Sequence, residues 1–195
     1  PLDHAREMIN EKFAKKPEIA EANCRVLQDG YNYGHNVHTS VAIRYKIEPK
    51  TPQKGTYTEI SGNKALAFGL MAAAEKANME LFLGSYPITP ATDVLHELAK
   101  HKSMGVKTVQ CEDEISGCCM AIGASYAGDL AVTSTSGPGL CLKSEAMNLA
   151  IMAELPLVII DVQRGGPSTG LPTKTEQTDL LQALYGRNGE SPMPV

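Results

Sequence analysis

The residues able to do chemistry in this chain fall into four short clusters. Tyr86-Pro87-Ile88-Thr89-Pro90 carries a hydroxyl between two prolines, and Glu112-Asp113-Glu114 carries three carboxylates. Thr133 to Gly139 combines hydroxyls with glycines, and Gln163-Arg164-Gly165-Gly166-Pro167-Ser168-Thr169-Gly170 sets a cation before a flexible, hydroxyl-rich loop. Glu114 is the expected chemical centre. It precedes Ser116, Gly117, Ala121, Gly123 and Ala124, small residues that let a helix pack closely and place the carboxylate in a dry groove beside a bound heterocycle. The plain alternative is an acidic helix start favoured by the helix dipole.

The other clusters each admit two readings. Proline fixes its own φ and restricts the residue before it, so Thr89 sits on a rigid turn suited to bonding a ligand carboxylate or carbonyl. Equally, Thr89 caps the next helix with Pro90 in its first position. Arg164 either clamps a carboxylate in a bidentate pair or makes a surface salt bridge. Thr133 to Gly139 resembles an anion-binding turn but has neither the P-loop nor the Rossmann pattern, which makes nucleotide phosphate a weak reading. His35 and His38 lack a carboxylate or cysteine nearby to complete a ligand set, so no metal site is expected.

Each cluster ends an apolar run: Leu81 to Leu83, Val106 to Val109, Leu130 to Val132, and Leu157 to Val162. The clusters recur at intervals of roughly 25 residues, the length of a strand–loop–helix unit. Right-handed crossovers make such strands parallel and bring all four clusters to one sheet edge, where open α/β sheets bind ligands. The expected fold is therefore α/β, a three-layer open, mainly parallel sheet. Residues 61–195 form this domain, opened by a helix that Ser61-Gly62-Asn63 caps; Leu180 to Tyr185 suggests a final helix. Residues 1–60 read as a helical and extended connector: one helix facing inward through Ala5, Met8, Ile9 and Phe13, a second from Pro17 ended by Gly30, and a strand at Val41 to Ile47.

Composition excludes several classes. A net charge of −4 without a long Lys/Arg cluster, no Trp and 5% aromatics argue against nucleic-acid binding. No apolar run approaches the roughly 20 residues of a membrane span. The cysteines, Cys24, Cys111, Cys118, Cys119 and Cys141, show no zinc or iron–sulfur spacing and read as reduced core thiols of a cytoplasmic protein. Pro1 and the ending Met193-Pro194-Val195 read as the limits of a piece of a longer polypeptide.

Taken in order, Tyr86-Pro87-Ile88-Thr89-Pro90, Glu112-Asp113-Glu114-Ile115-Ser116, Thr135-Ser136-Gly137-Pro138-Gly139 and the run from Asp161 to Thr173 resemble the α subunit of 2-oxoacid:acceptor (ferredoxin) oxidoreductases, nearest to the 2-oxoglutarate branch. The resemblance covers roughly residues 61–190 and implies the pyrimidine-binding domain for thiamine diphosphate. It further implies that Glu114 contacts N1′ of the aminopyrimidine, with Tyr86 and Pro87 also on the cofactor. Thr89 and Arg164 would hold the substrate carboxylate and carbonyl, and the loop with Gly165, Gly166, Ser168 and Thr169 would gate the site. Residues 1–30 resemble the connector after a γ domain.

The diphosphate signature and cluster cysteines are not in this chain. The resemblance puts Mg2+, diphosphate and an iron–sulfur cluster on a partner β subunit, with coenzyme A as co-substrate and a ferredoxin-type acceptor. This chain is then half of an active site in a hetero-oligomer, inactive alone. Two other readings stand beside this one: another thiamine diphosphate enzyme subunit, or a non-catalytic flavodoxin-like assembly module.

Overall fold

The structure is a computed structural model that describes residues 2–38, 45, 54–167, 170–189 and 191. It divides into two compact units, Pro1–Thr56 and Tyr57–Val195.

The first unit is a helical hairpin of α1 (Asp3–Lys12) and α2 (Pro17–His38). Pro17 opens α2, where its missing N–H costs nothing. The expected stop at Gly30 does not occur, because α2 continues through Gly30 and Gly34 to His38. Gly30 has no left-handed φ, and without that turn a glycine only weakens a helix. Tyr31 and His35, one helical turn apart, stack across the continuation. Arg6 donates to the Gln28 side chain between the two helices. Among the described residues of this unit only Ala20 is buried. The strand expected at Val41 to Ile47 falls outside the described residues except for Tyr45, which is exposed.

The second unit holds four parallel strands: β1 (Leu81–Ser85), β2 (Val106–Gln110), β3 (Leu130–Thr135) and β4 (Val158–Asp161). Their order is β2-β1-β3-β4. Leu81 pairs with Val106 on one side and Leu130 on the other, and Thr135 pairs with Asp161. The apolar runs supply these strands because both sheet faces are covered.

On one face α3 (Gly62–Ala77) and α4 (Thr92–Leu98) pack Ala67, Leu70, Val94 and Leu98 against Leu81, Leu83 and Val132. Ser61 caps α3 by accepting from the Lys64 amide at 3.3 Å, and Asn78 ends it in the left-handed region at φ 55°. On the other face lie α5 (Glu114–Tyr126) and α6 (Gly137–Met152), with Cys118, Ile122, Ala146 and Ala150 between them. Strand alternation decides which residue meets which layer: Leu81 and Leu83 face α3, whereas Phe82 meets the α5 side. Gly84 also faces α5, and a Cβ there would lie 2.5 Å from the Gly117 carbonyl oxygen. A short α7 (Leu180–Tyr185) closes the described chain. The result is the expected three-layer α/β architecture, with every strand parallel. Among the described residues no helix is long and apolar enough to cross a membrane.

Candidate functional site

The carboxyl ends of the four strands carry the four clusters. Glu114 occupies the first turn of α5, directly after Asp113, whose side chain accepts from the Ser116 amide at 2.7 Å. Asp113 is thus the capping carboxylate and Glu114 is not. The Glu114 side chain is buried and turns toward the start of α6. A Cβ on Gly139 would lie 2.9 Å from Glu114 Cγ and 3.2 Å from Oε1, and would collide with the Thr135 hydroxyl. Glycine at 139 therefore makes the recess that holds this carboxylate.

Beneath it lies Lys143, fully buried on α6. Its Nζ donates to the Glu114 carbonyl oxygen at 2.9 Å and to the Thr133 hydroxyl at 3.0 Å. Burial lowers the affinity of this amine for its proton, an effect opposed by Cys118 and Glu114. Burial also pushes the Cys118 thiol up to about 11, so that thiol stays protonated near neutrality.

Arg164 is buried, with 8% of its surface exposed. Its Nη1 donates to the Thr89 carbonyl oxygen at 3.0 Å. The Ser136 hydroxyl donates to the Val162 carbonyl at 2.7 Å and reaches the Thr89 carbonyl at 3.5 Å. The backbone of Thr89 thereby ties the ends of β1, β3 and β4, while the residue itself remains exposed. Pro90 does not open the next helix: α4 begins at Thr92, whose amide and hydroxyl both bond the Ile88 carbonyl.

A cleft of about 760 Å³ gathers Tyr86, Glu114, Arg164 and Gly166, with Pro138 and Glu176 among its other walls. Thr89, Pro87 and Gly165 adjoin it without lining it. The loop after β4 folds back on itself. The Gly165 amide donates to the Lys174 carbonyl at 2.6 Å, the Leu171 amide to the Gly165 carbonyl at 2.8 Å, and the Gly166 amide to Glu176 Oε2 at 3.1 Å. Gly166 has φ 78°, and a Cβ there would meet Gly170 at 2.9 Å, so this turn requires glycine. Ser168 and Thr169 lie outside the described residues.

Sequence reasoning missed three residues here. Asp179 places a carboxylate oxygen 2.8 Å from where a Gly137 Cβ would stand, so the chain's own carboxylate meets the start of α6. Burial, and then the neighbouring Asp179, push the Asp161 carboxyl up to about 7. Lys143 had a visible signal: it interrupts the stripe Leu140, Ala146, Met147, Ala150 on the buried face of α6.

This is a cleft at the carboxyl edge of a parallel sheet, with a buried carboxylate in one wall. The family model for pyruvate flavodoxin/ferredoxin oxidoreductase, thiamine diphosphate-binding, matches residues 72–195. The chain belongs to this family. It is 62% identical over 194 residues to the 2-oxoglutarate oxidoreductase subunit KorA of Mycobacterium tuberculosis, covering 100% of this chain and 30% of that protein. It is 44% identical over 137 residues to the 2-oxoglutarate synthase subunit KorA of Archaeoglobus fulgidus, covering 70% of this chain and 38% of that one. Among solved structures, a 2-oxoglutarate:ferredoxin oxidoreductase from Magnetococcus marinus, with 2-oxoglutarate, coenzyme A and succinyl-CoA bound, superposes with a TM-score of 0.68 at 40% identity. That match covers 96% of this chain and 32% of the other. The chain thus spans about a third of the length of the relatives it matches.

The residues present fit half of the cofactor. A flat aminopyrimidine needs a carboxylate for its ring nitrogen, and Glu114, seated over Gly139, is one. Among the described residues no group of three His, Cys, Asp or Glu side chains could hold a metal ion.

Proposed function

We propose that the chain is part of the α subunit of a thiamine diphosphate-dependent 2-oxoacid oxidoreductase acting on 2-oxoglutarate. The observation that carries this reading is the single cleft that joins buried Glu114 to Tyr86 and Arg164, in a chain 62% identical to a 2-oxoglutarate oxidoreductase subunit. Thiamine diphosphate, when bound, supplies a nucleophilic carbon and an electron sink for decarboxylation. The chain's own residues orient it. Glu114 sets its carboxyl group against the ring nitrogen N1′ from the recess over Gly139, favouring the imino tautomer, while Tyr86 and Pro87 flank the ring. Arg164, with Thr89, meets the substrate carboxylate and carbonyl. The loop bearing Gly165, Gly166, Ser168 and Thr169 covers the cleft, and the Glu176 contact to Gly166 sets its stem.

Mg2+ and the iron–sulfur cluster belong to a partner β subunit in this reading. Coenzyme A takes the acyl group, a ferredoxin-type protein takes the electrons, a γ domain or subunit adjoins α, and the complex is cytoplasmic. The experiment is viologen reduction dependent on 2-oxoglutarate and coenzyme A, using full-length α with its β partner, with pyruvate in parallel. Reduction with 2-oxoglutarate is expected, and Glu114→Gln should lower it by at least about 100-fold, within the range of a lost proton-transfer group, while assembly survives. Reduction with pyruvate alone would overturn the substrate. Unchanged turnover in Glu114→Gln would remove that residue from the chemistry.

A further inference from the structure

Burying an ammonium costs free energy that an apolar side chain of similar size does not, and replacing buried ion pairs with apolar residues is often neutral or stabilising. Lys143 is nonetheless the largest fully buried side chain among the described residues. Packing alone would be served by methionine at this position. What the lysine adds is a pair of directed hydrogen bonds from α6: one to the Glu114 carbonyl in the first turn of α5, the other to the Thr133 hydroxyl on β3. Thr133 is itself fully buried. Two residues further along the same strand, the Thr135 hydroxyl packs at Gly139 beside the Glu114 side chain. Three elements therefore meet at the residue whose carboxylate faces the cleft.

We propose that Lys143 is a positioning residue that pins the main chain at Glu114 to β3 and so fixes the carboxylate for its work on the cofactor. This rests on the functional reading above. The titratable side chains around Lys143 Nζ are Cys118, Glu114, Cys111 and Asp113, and burial keeps the Cys118 thiol protonated. A lysine with this surrounding holds its target through the backbone and leaves the Glu114 carboxylate oriented toward the ligand.

The test uses full-length α assembled with its β partner, comparing wild type, Lys143→Met and Glu114→Gln. Two quantities are read: amide hydrogen exchange in the first turn of α5 without cofactor, and deuterium exchange at C2 of bound thiamine diphosphate. In Lys143→Met the complex assembles, the first-turn amides exchange faster, and C2 exchange slows by on the order of tenfold, the usual cost of losing a support behind a functional group. Wild-type values of both in Lys143→Met, with C2 exchange lost in Glu114→Gln, would overturn the pin and leave the functional reading intact. Wild-type C2 exchange in Glu114→Gln would overturn the functional reading itself, and the inference with it. Thr133→Val cuts the same link without touching the lysine and decides the matter should Lys143→Met fail to assemble: slower C2 exchange supports the pin, and exchange at the wild-type rate overturns it.

Discussion

At position 139 the lack of a side chain serves a neighbour. Alanine inside a helix is ordinarily favoured over glycine by roughly 0.5–1 kcal/mol. Here its Cβ would stand 2.9 Å from Glu114 Cγ and against the Thr135 hydroxyl, and overpacking of this kind costs about 1–3 kcal/mol. Gly139→Ala is expected to lower the melting temperature and to cut turnover of the full complex by at least about tenfold, since a displacement near 1 Å suffices for that. A variant that melts higher and turns over normally would show that the recess is not needed. Asp161 gives a pH signature. Folded, its carboxyl keeps its proton up to about 7; unfolded, an aspartate releases it near 3.9. Between those values the folded state binds more protons, so this group's contribution to stability falls as pH rises from about 4 to 7. Asp161→Asn removes that fall while keeping the shape. Melting curves across the window should decline less in the variant than in wild type, and parallel curves would exclude the effect.

Helix α5 can carry Glu114 to the cleft only because it sits unusually close to the sheet. Gly84 on β1 faces Gly117 on α5, and a Cβ on Gly117 would lie 3.2 Å from Ser85 Cα. Gly84→Ala would put a methyl 2.5 Å from a backbone oxygen that has no rotamer to escape into. The expected loss is about 1–3 kcal/mol, read as a lower denaturant midpoint, and an unchanged midpoint would mean that the layers can slide apart freely. This closeness was legible in the sequence as the small residues Ser116, Gly117, Ala121 and Ala124, just as the apolar runs announced the strands. Other features were not. Nothing local in Gly30 tells a helix to stop or continue, since termination needs a left-handed residue or a cap, and neither forms. One of the two readings of Thr89-Pro90 was a helix start with Pro90 in the first position, yet α4 begins two residues later, at Thr92. Asp179 meets Asp161, and Glu176 meets the Gly166 amide, through the fold-back of the loop after β4, a tertiary event without a periodic signal.

The two units differ in how much apolar surface they hide. The sheet unit buries Leu81, Leu83, Leu98 and Val132 almost completely, whereas Ala20 is the buried apolar residue of the helical hairpin among those described. Local stability follows such burial. Amide exchange on this chain alone should therefore show fast exchange across Asp3–His38 and slow exchange in β1 and β3. Equal protection of both would mean that the hairpin is held by more than its own contacts. In the sheet unit, loops from all four strand ends line one cleft, within the residues matched by the thiamine diphosphate-binding family model.

The Thr89 carbonyl, which receives Arg164 and the Ser136 hydroxyl, bears on how such a site changes over generations. The structural duty at this position is discharged by the backbone, which every amino acid possesses, and the exposed side chain is left without it. A new side chain can be tried there without dismantling the joints between three loops. Position 89 is thus a place where selection, natural or in the laboratory, can change the side chain beside the cleft while the scaffold stays as it is.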